Sequence, residues 1–234
     1  MVILGIESSA VSASVAVVRD GKLLSEMFAN VGLTHSVTLM PMIKSVIESS
    51  LITIDDIDAI SVSNGPGSFT GIRIGVATAK GLAQPSQKKC IPVSTLEAIA
   101  YPFENSGHIV ASVMDARCQQ VYCAFFDCGN GFTRLTEDDA FSFDCLCEKI
   151  KGFDRKVILA GDGADVAFSY LADKNLNVVK AVNSMKYQHA SSVAFLAEKR
   201  IENNIDICTY DSLVPAYLRL SQAERELKKK KEIQ

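Results

Sequence analysis

One stretch constrains the fold more than any other: Asn64-Gly65-Pro66-Gly67-Ser68-Phe69-Thr70-Gly71-Ile72-Arg73-Ile74-Gly75. A β-rich run, Asp58–Ser63, leads into it, and a helical run, Gly71–Ala83, leads out. A glycine-rich corner between strand and helix can bind an anion, because the free amides of a helix N-terminus attract negative charge. The spacing departs from the common nucleotide loops. Gly65, Gly67 and Gly71 read G-x-G-x-x-x-G, one residue too long for the dinucleotide fingerprint, and Gly71 is followed by Ile72-Arg73 rather than Lys-Ser or Lys-Thr. Two readings stay open from spacing: a phosphate loop, and a tight turn whose Ser68 or Thr70 caps the helix.

Gly71, Gly75 and Ala79 recur every four residues and share one face of that helix. A glycine inside a helix costs about 1 kcal/mol relative to alanine, so two of them imply close backbone approach to a neighbour. The neighbour is either the protein's own sheet or a second chain. The preceding helical run, His35–Leu51, bears on that choice. Its Leu39, Met40, Met42, Ile43, Val46 and Ile47 cover more than one stripe, so one stripe can face the core and the other a partner. Pro41 must lie near the first turn of this helix or kink it.

The remaining pattern supplies the frame. Val2–Ile6, Ser14–Val18 and Lys22–Phe28 read as strands, the last two joined by Asp20-Gly21, a strong hairpin signal. Three strands, helix, strand, helix is an unusual order for a Rossmann domain and matches half of the actin-like architecture. After Tyr101-Pro102 the pattern restarts, with His108–Met114 and Gln119–Phe126 as paired strands, Phe143–Lys151 as a helix, Lys156–Ala160 as a strand and Ala164–Leu171 as a helix. Further helices are expected over Ser191–Glu202 and Tyr217–Lys231. The expected division is a first half over 1–104 and a second over 105–234, with the last helix packing back on the first half.

Composition excludes several function classes. With 48% apolar and 22% charged residues, the 234-residue chain can bury its own core. A net charge of −3 makes the chain by itself a poor binder of nucleic acid. The basic run Lys228–Lys231 lies among Glu224, Glu226 and Glu232 and reads as a solvated helix end. The seven cysteines fit neither a zinc ribbon nor C-x-x-C and read as reduced thiols of a cytoplasmic protein. Glu7 inside the first apolar run argues against a signal peptide, and no run of about 20 apolar residues offers a membrane span.

The eleven residues Gly65–Gly75 resemble the signature GPGSFTGxRIG of the TsaB (YeaZ) family. Supporting stretches are Ile3–Ser9, His35-Ser36, Ser94–Ala98, Asp115-Ala116-Arg117 with Val121-Tyr122, and Pro215-Ala216-Tyr217-Leu218-Arg219, similar to the family's P-x-Y-L-R ending. The resemblance implies an actin/Hsp70-like (ASKHA) α/β fold of two related βββαβα halves. It also implies a non-catalytic scaffold that pairs with the catalytic relative TsaD, works beside the ATPase TsaE, and meets tRNA only indirectly. Pairing would use the two amino-terminal helices, about 35–50 and 71–83. The interface residues so implied are His35, Leu39, Met40, Ile43 and Ile47 on the first helix. On the loop and second helix they are Gly67, Ser68, Phe69, Thr70, Gly71, Ile72, Arg73, Gly75, Val76 and Ala79. On this reading Gly75→Leu abolishes pairing and leaves the monomer folded, and the same face allows a homodimer when the partner is absent.

Chemistry-bearing residues are sparse. TsaD carries H-x-x-x-H on its first helix, whereas His35 is followed at the fourth position by Leu39, so no such two-histidine metal site forms here. His108 and His189 stand far away in sequence, and no G-x-S-x-G or cysteine–histidine set supports a peptidase. Glu7, after the first strand, and Asp162, in Gly161-Asp162-Gly163, are the weak candidates for a nucleotide site. With the Gly65–Gly71 loop they form the alternative reading, an actin-like phosphotransferase or ATPase. No cofactor is expected on this chain alone, ATP belonging to the partner assembly.

Overall fold

Val2–Glu7 (β1) shows no alternation of burial; all six residues are buried. Such a strand needs a cover on both faces of its sheet. In the computed structural model, which describes residues 1–117 and 119–219, helices provide both covers. β1 pairs antiparallel with Ala13–Arg19 (β2), which pairs antiparallel with Lys22–Ala29 (β3). On its other side β1 pairs parallel with Ala59–Gly65 (β4), and β4 with Lys89–Ser94 (β5), giving the order β3-β2-β1-β4-β5. His35–Ser49 (α1) and Phe69–Ala83 (α2) bury Leu39, Met42, Ile43, Val46, Ile72 and Val76 against Leu4, Ile6, Val15 and Val17. Each large apolar side chain so buried contributes roughly 1.5–3 kcal/mol. The opposite face, with Ile3, Val18 and Ile91, is covered by Ala190–Glu202 (α6) through Val193, Ala194 and Leu196.

The second sheet repeats the first. His108–Arg117 (β6) pairs antiparallel with Gln120–Cys128 (β7) and parallel with Val157–Ala160 (β10), which pairs with Val178–Lys180 (β11). The third-strand position beside β7 is shared by Thr133–Arg134 (β8) and Asp139–Ser142 (β9). Phe143–Lys151 (α4) and Ala164–Leu171 (α5) cover one face through Leu146, Ile150, Ala167 and Leu171. Thr95–Ala100 (α3) lies on the other, where Leu96 and Ile99 meet Val110, Met114 and Phe126.

The expected elements fall within a few residues of those observed, and the differences have local causes. β5, α3, β8, β9 and β11 have no counterpart in the sequence reading. β5 is an edge strand containing Pro92, a residue that breaks the strand pattern and is tolerated at an edge. α3 has six residues, capped by Ser94 Oγ, which accepts from the Glu97 amide at 3.3 Å. Pro41 is the seventh residue of α1, inside the helix rather than in its first turn, and its ring is exposed. The expected helix over 217–231 falls, from residue 220 onward, outside the described residues. No helix among the described residues is long and apolar enough to cross a membrane.

Candidate functional site

The carboxyl ends of β1, β4, β6 and β10 converge on a cleft of about 700 Å3 between the halves. Corners lead out of each strand, and backbone packing fixes them. Gly65 and Gly67 have φ of +134° and +153°, a region that glycine adopts without a Cβ penalty. A Cβ on Gly67 would strike the Ser9 carbonyl, and one on Gly65 the Ala216 carbonyl. Between them the Gly65-Pro66 peptide is cis.

The glycine-rich loop is a turn and cap. Ser68 Oγ accepts from the Gly71 amide at 3.2 Å, and the Ser68 amide donates to the Ser9 carbonyl at 2.6 Å. Ser8 Oγ donates to the Gly71 carbonyl at 2.9 Å. Two amides that an anion would need are therefore already committed within the chain. His35, the first residue of α1, contacts the Ala10 carbonyl through Nε2 at 2.7 Å and stitches α1 to the same corner.

This packing corrects part of the expected partner face. Gly71, Ile72, Gly75, Val76 and Ala79 are buried, as are Leu39 and Ile43. A Cβ on Gly71 would meet the Ser8 carbonyl, and one on Gly75 would meet Ser8 Oγ, with Val62 Cγ2 at 3.4 Å. The close approach that the glycines permit is to the chain's own β1–β2 corner, so Gly75→Leu strikes the fold before it strikes any partner. Met40, Ser68, Thr70 and Arg73 do lie exposed, with His35, Ile47, Gly67 and Phe69 half-buried.

Residues that the sequence reading did not name complete the outer face. Val31, Leu33 and Val37 are 70%, 61% and 68% exposed, and Met40, one turn beyond Val37, is 50% exposed. Apolar residues flanking Gly32 just before a helix were the available signal. Leu213–Arg219 runs as a strap along α2. Lys80 Nζ donates to the Leu213 carbonyl at 3.1 Å, and the Ala216 amide to the Asn64 carbonyl at 2.7 Å. Tyr217 stacks on Phe69 at 4.7 Å and its hydroxyl accepts from Arg73 Nε at 2.8 Å. Arg219 then crosses to the second half and donates to the Ala116 carbonyl at 3.3 Å.

The two carboxylates proposed from sequence part company. Glu7 is fully buried; its Oε1 accepts from the amide and hydroxyl of Ser9, both at 2.6 Å, and it does not line the cleft. Burial pushes its carboxyl above the usual range, against the pull of Ser63, Ser9 and His35. Asp162 lines the opposite wall, where burial raises it to about 6, and the Asp115 amide approaches it at 3.4 Å. Asp115 and Arg117 share that wall. His108 begins β6, and His189 faces Glu26 at 3.4 Å, both away from the cleft lining. Among the described residues no cluster of three His, Cys, Asp or Glu could hold a metal ion.

Residues 29–227 match the family model described as TsaD, tRNA N6-adenosine threonylcarbamoyltransferase. The tRNA threonylcarbamoyladenosine biosynthesis protein TsaB of Bacillus subtilis is 30% identical, over 96% of each chain. YeaZ from Pseudomonas aeruginosa superimposes with a TM-score of 0.79 at 23% identity, covering 93% of this chain and 99% of that one. Component A of the (R)-2-hydroxyglutaryl-CoA dehydratase of Acidaminococcus fermentans gives a TM-score of 0.50 at 12% identity, over 86% and 99% of the two chains. The fold is the actin/Hsp70-like one, and the repeated strand order is its signature in this chain.

Proposed function

The chain belongs to the TsaB family of tRNA threonylcarbamoyladenosine biosynthesis proteins, and from that premise we propose that it is a non-catalytic cytoplasmic subunit that pairs with a TsaD-like transferase. The observation that carries the reading is the outward face of α1 and its approach loop. Val31, Leu33, Val37 and Met40 are all exposed apolar side chains within one short segment, a concentration that suits burial against a second protein. Arg73, lying over the Phe69 ring and donating to the Tyr217 hydroxyl, adds a charged and aromatic border of the kind found at protein interfaces. A TsaE-like ATPase is the second partner, tRNA contacts the assembly through other subunits, and this chain holds no cofactor by itself. The ATPase alternative loses support because Glu7 is sealed away from the cleft and two of the loop amides are engaged.

The test is reconstituted threonylcarbamoyladenosine synthesis on tRNA, with the partner proteins and substrates fixed and this chain omitted, restored, or restored as Val37→Glu/Met40→Glu. Loss on omission and rescue by wild type but not by the double variant is expected, with the variant monomeric and folded. Undiminished product without the chain overturns the subunit role. Full rescue by the double variant overturns the assigned face, and sedimentation distinguishes a homodimer built on the same surface.

A further inference from the structure

The chain leaves α6 and rejoins the first sheet at a single isolated bridge, where Cys208 lies antiparallel to Cys90 of β5. The Cys90 amide donates to the Cys208 carbonyl and the Cys208 amide to the Cys90 carbonyl, both at 2.9 Å. Such hydrogen-bonded antiparallel pairs hold their Cα atoms about 5.5 Å apart, inside the range that disulfides span. Both side chains belong to the same apolar cluster and so lie on the same face of the sheet. Cys208 Sγ already points across the pair, 3.3 Å from the Cys90 carbonyl oxygen. Five residues later the strap begins at the buried Leu213.

We propose that Cys90 and Cys208 form a reversible disulfide in response to a small-molecule disulfide oxidant such as oxidised glutathione, fastening the root of the strap to the sheet edge. Cys208, the partly exposed member, attacks one sulfur of the oxidant as its thiolate, forming a mixed disulfide and expelling one thiolate. Cys90 then attacks the Cys208 sulfur and expels the second thiolate. The protein thiols lose two electrons and two protons, and the oxidant leaves as two thiols. Burial keeps the Cys90 thiol up near about 11, reinforced by Cys208 and opposed by Lys80. Burial and Asp206 raise Cys208, against Ser212 and Lys80. Oxidation is therefore slow at neutral pH and faster in alkaline buffer, where more thiolate is present.

The experiment uses the full chain carrying Cys145→Ser, which removes the one exposed thiol among the described residues. It is incubated with oxidised or reduced glutathione at neutral and alkaline pH, alkylated, digested without reduction and analysed by mass spectrometry. Expected is a Cys90–Cys208 cross-linked peptide, lighter by two hydrogens, forming faster at alkaline pH and reversed by dithiothreitol. Slower amide exchange at Ala216 should accompany it, and Cys208→Ser should abolish both effects. Complete alkylation of Cys90 and Cys208 after oxidation, or glutathione on Cys208 with no cross-link at either pH, overturns the proposal. A cross-link without slower exchange at Ala216 overturns its action on the strap.

Discussion

In the first half the third strand is β3, eight unbroken residues, whereas the second half divides that position between β8, of two residues, and β9, of four. The helices differ in the same direction: α1 and α2 have fifteen residues each, α4 and α5 nine and eight. The corners are alike. Gly67 and Gly71 press on Ser9 and Ser8 in one half as Gly161 and Gly163 press on Val113, Met114 and Asp115 in the other. What differs most is the outward surface. α1 presents Val37 and Met40, whereas α4 presents Asp144, Glu148, Lys149 and Lys151, with Glu148 and Lys151 paired at 2.7 Å. One strand order thus carries different outward surfaces on its covering helices, and residues that never touch the core set the difference.

The largest expected effect breaks a corner that the halves share. Gly75→Leu drives a side chain into Ser8 and Val62 and should lower stability by roughly 3 kcal/mol or more, read as the urea midpoint. Gly163→Leu should do the same in the second half, where a Cβ would already sit 2.8 Å from the Asp115 amide nitrogen. Gly81, in the same helix as Gly75 with open space around it, is the control, and Gly81→Ala should stabilise by up to about 1 kcal/mol. A Gly75→Leu chain with an unchanged midpoint would mean that the β1–β2 corner yields, and the partner face would then extend inward along α2.

That contrast shows which parts of the molecule were legible in the sequence. Spacing placed Gly71, Gly75 and Ala79 on one face and required a close neighbour, but periodicity does not say whether the neighbour is Ser8 of the same chain or a second protein. The long strands and helices follow from apolar period, which is why β1 to β4, α1, α2 and α6 fall where expected. β5 is interrupted by Pro92, and α3, β8 and β9 are short and held by pairing or a single cap, so their pattern carries little signal. The strap is written in Pro215–Arg219, yet its place against Phe69 and Ala116 is a tertiary fact, formed by contacts more than 100 residues apart in sequence.

The cleft walls offer the next sharpening. Asp162 is raised to about 6 in the fold and should lie near 3.8 in the unfolded chain. A carboxyl raised by folding binds its proton more tightly in the native state, so its contribution is fully present below about pH 4. It is lost as pH rises toward 6. Over that window the protein should lose on the order of 2–3 kcal/mol through this group. Asp162→Asn should flatten the loss and be the more stable protein at neutral pH. Stability curves of the two that stay parallel from pH 4 to 7 would show that solvent reaches Asp162 and that the second wall is as open as the first.

The smallest effect isolates the link between the halves. Tyr217→Ala removes the ring stacked on Phe69 and the hydroxyl that accepts from Arg73, at a partly exposed site, so global stability should fall by only about 1 kcal/mol. The local effect should be larger. The Ala216 amide bond to Asn64 and the Arg219 bond to Ala116 flank the lost ring, and their segment has few other buried contacts beyond Leu213. Amide exchange at Ala216 should accelerate while exchange in β1 and β6 stays at the wild-type rate. Acceleration in both sheets would instead make the strap part of the common core, and the two halves would then unfold as one unit rather than as two halves tied at their mouth.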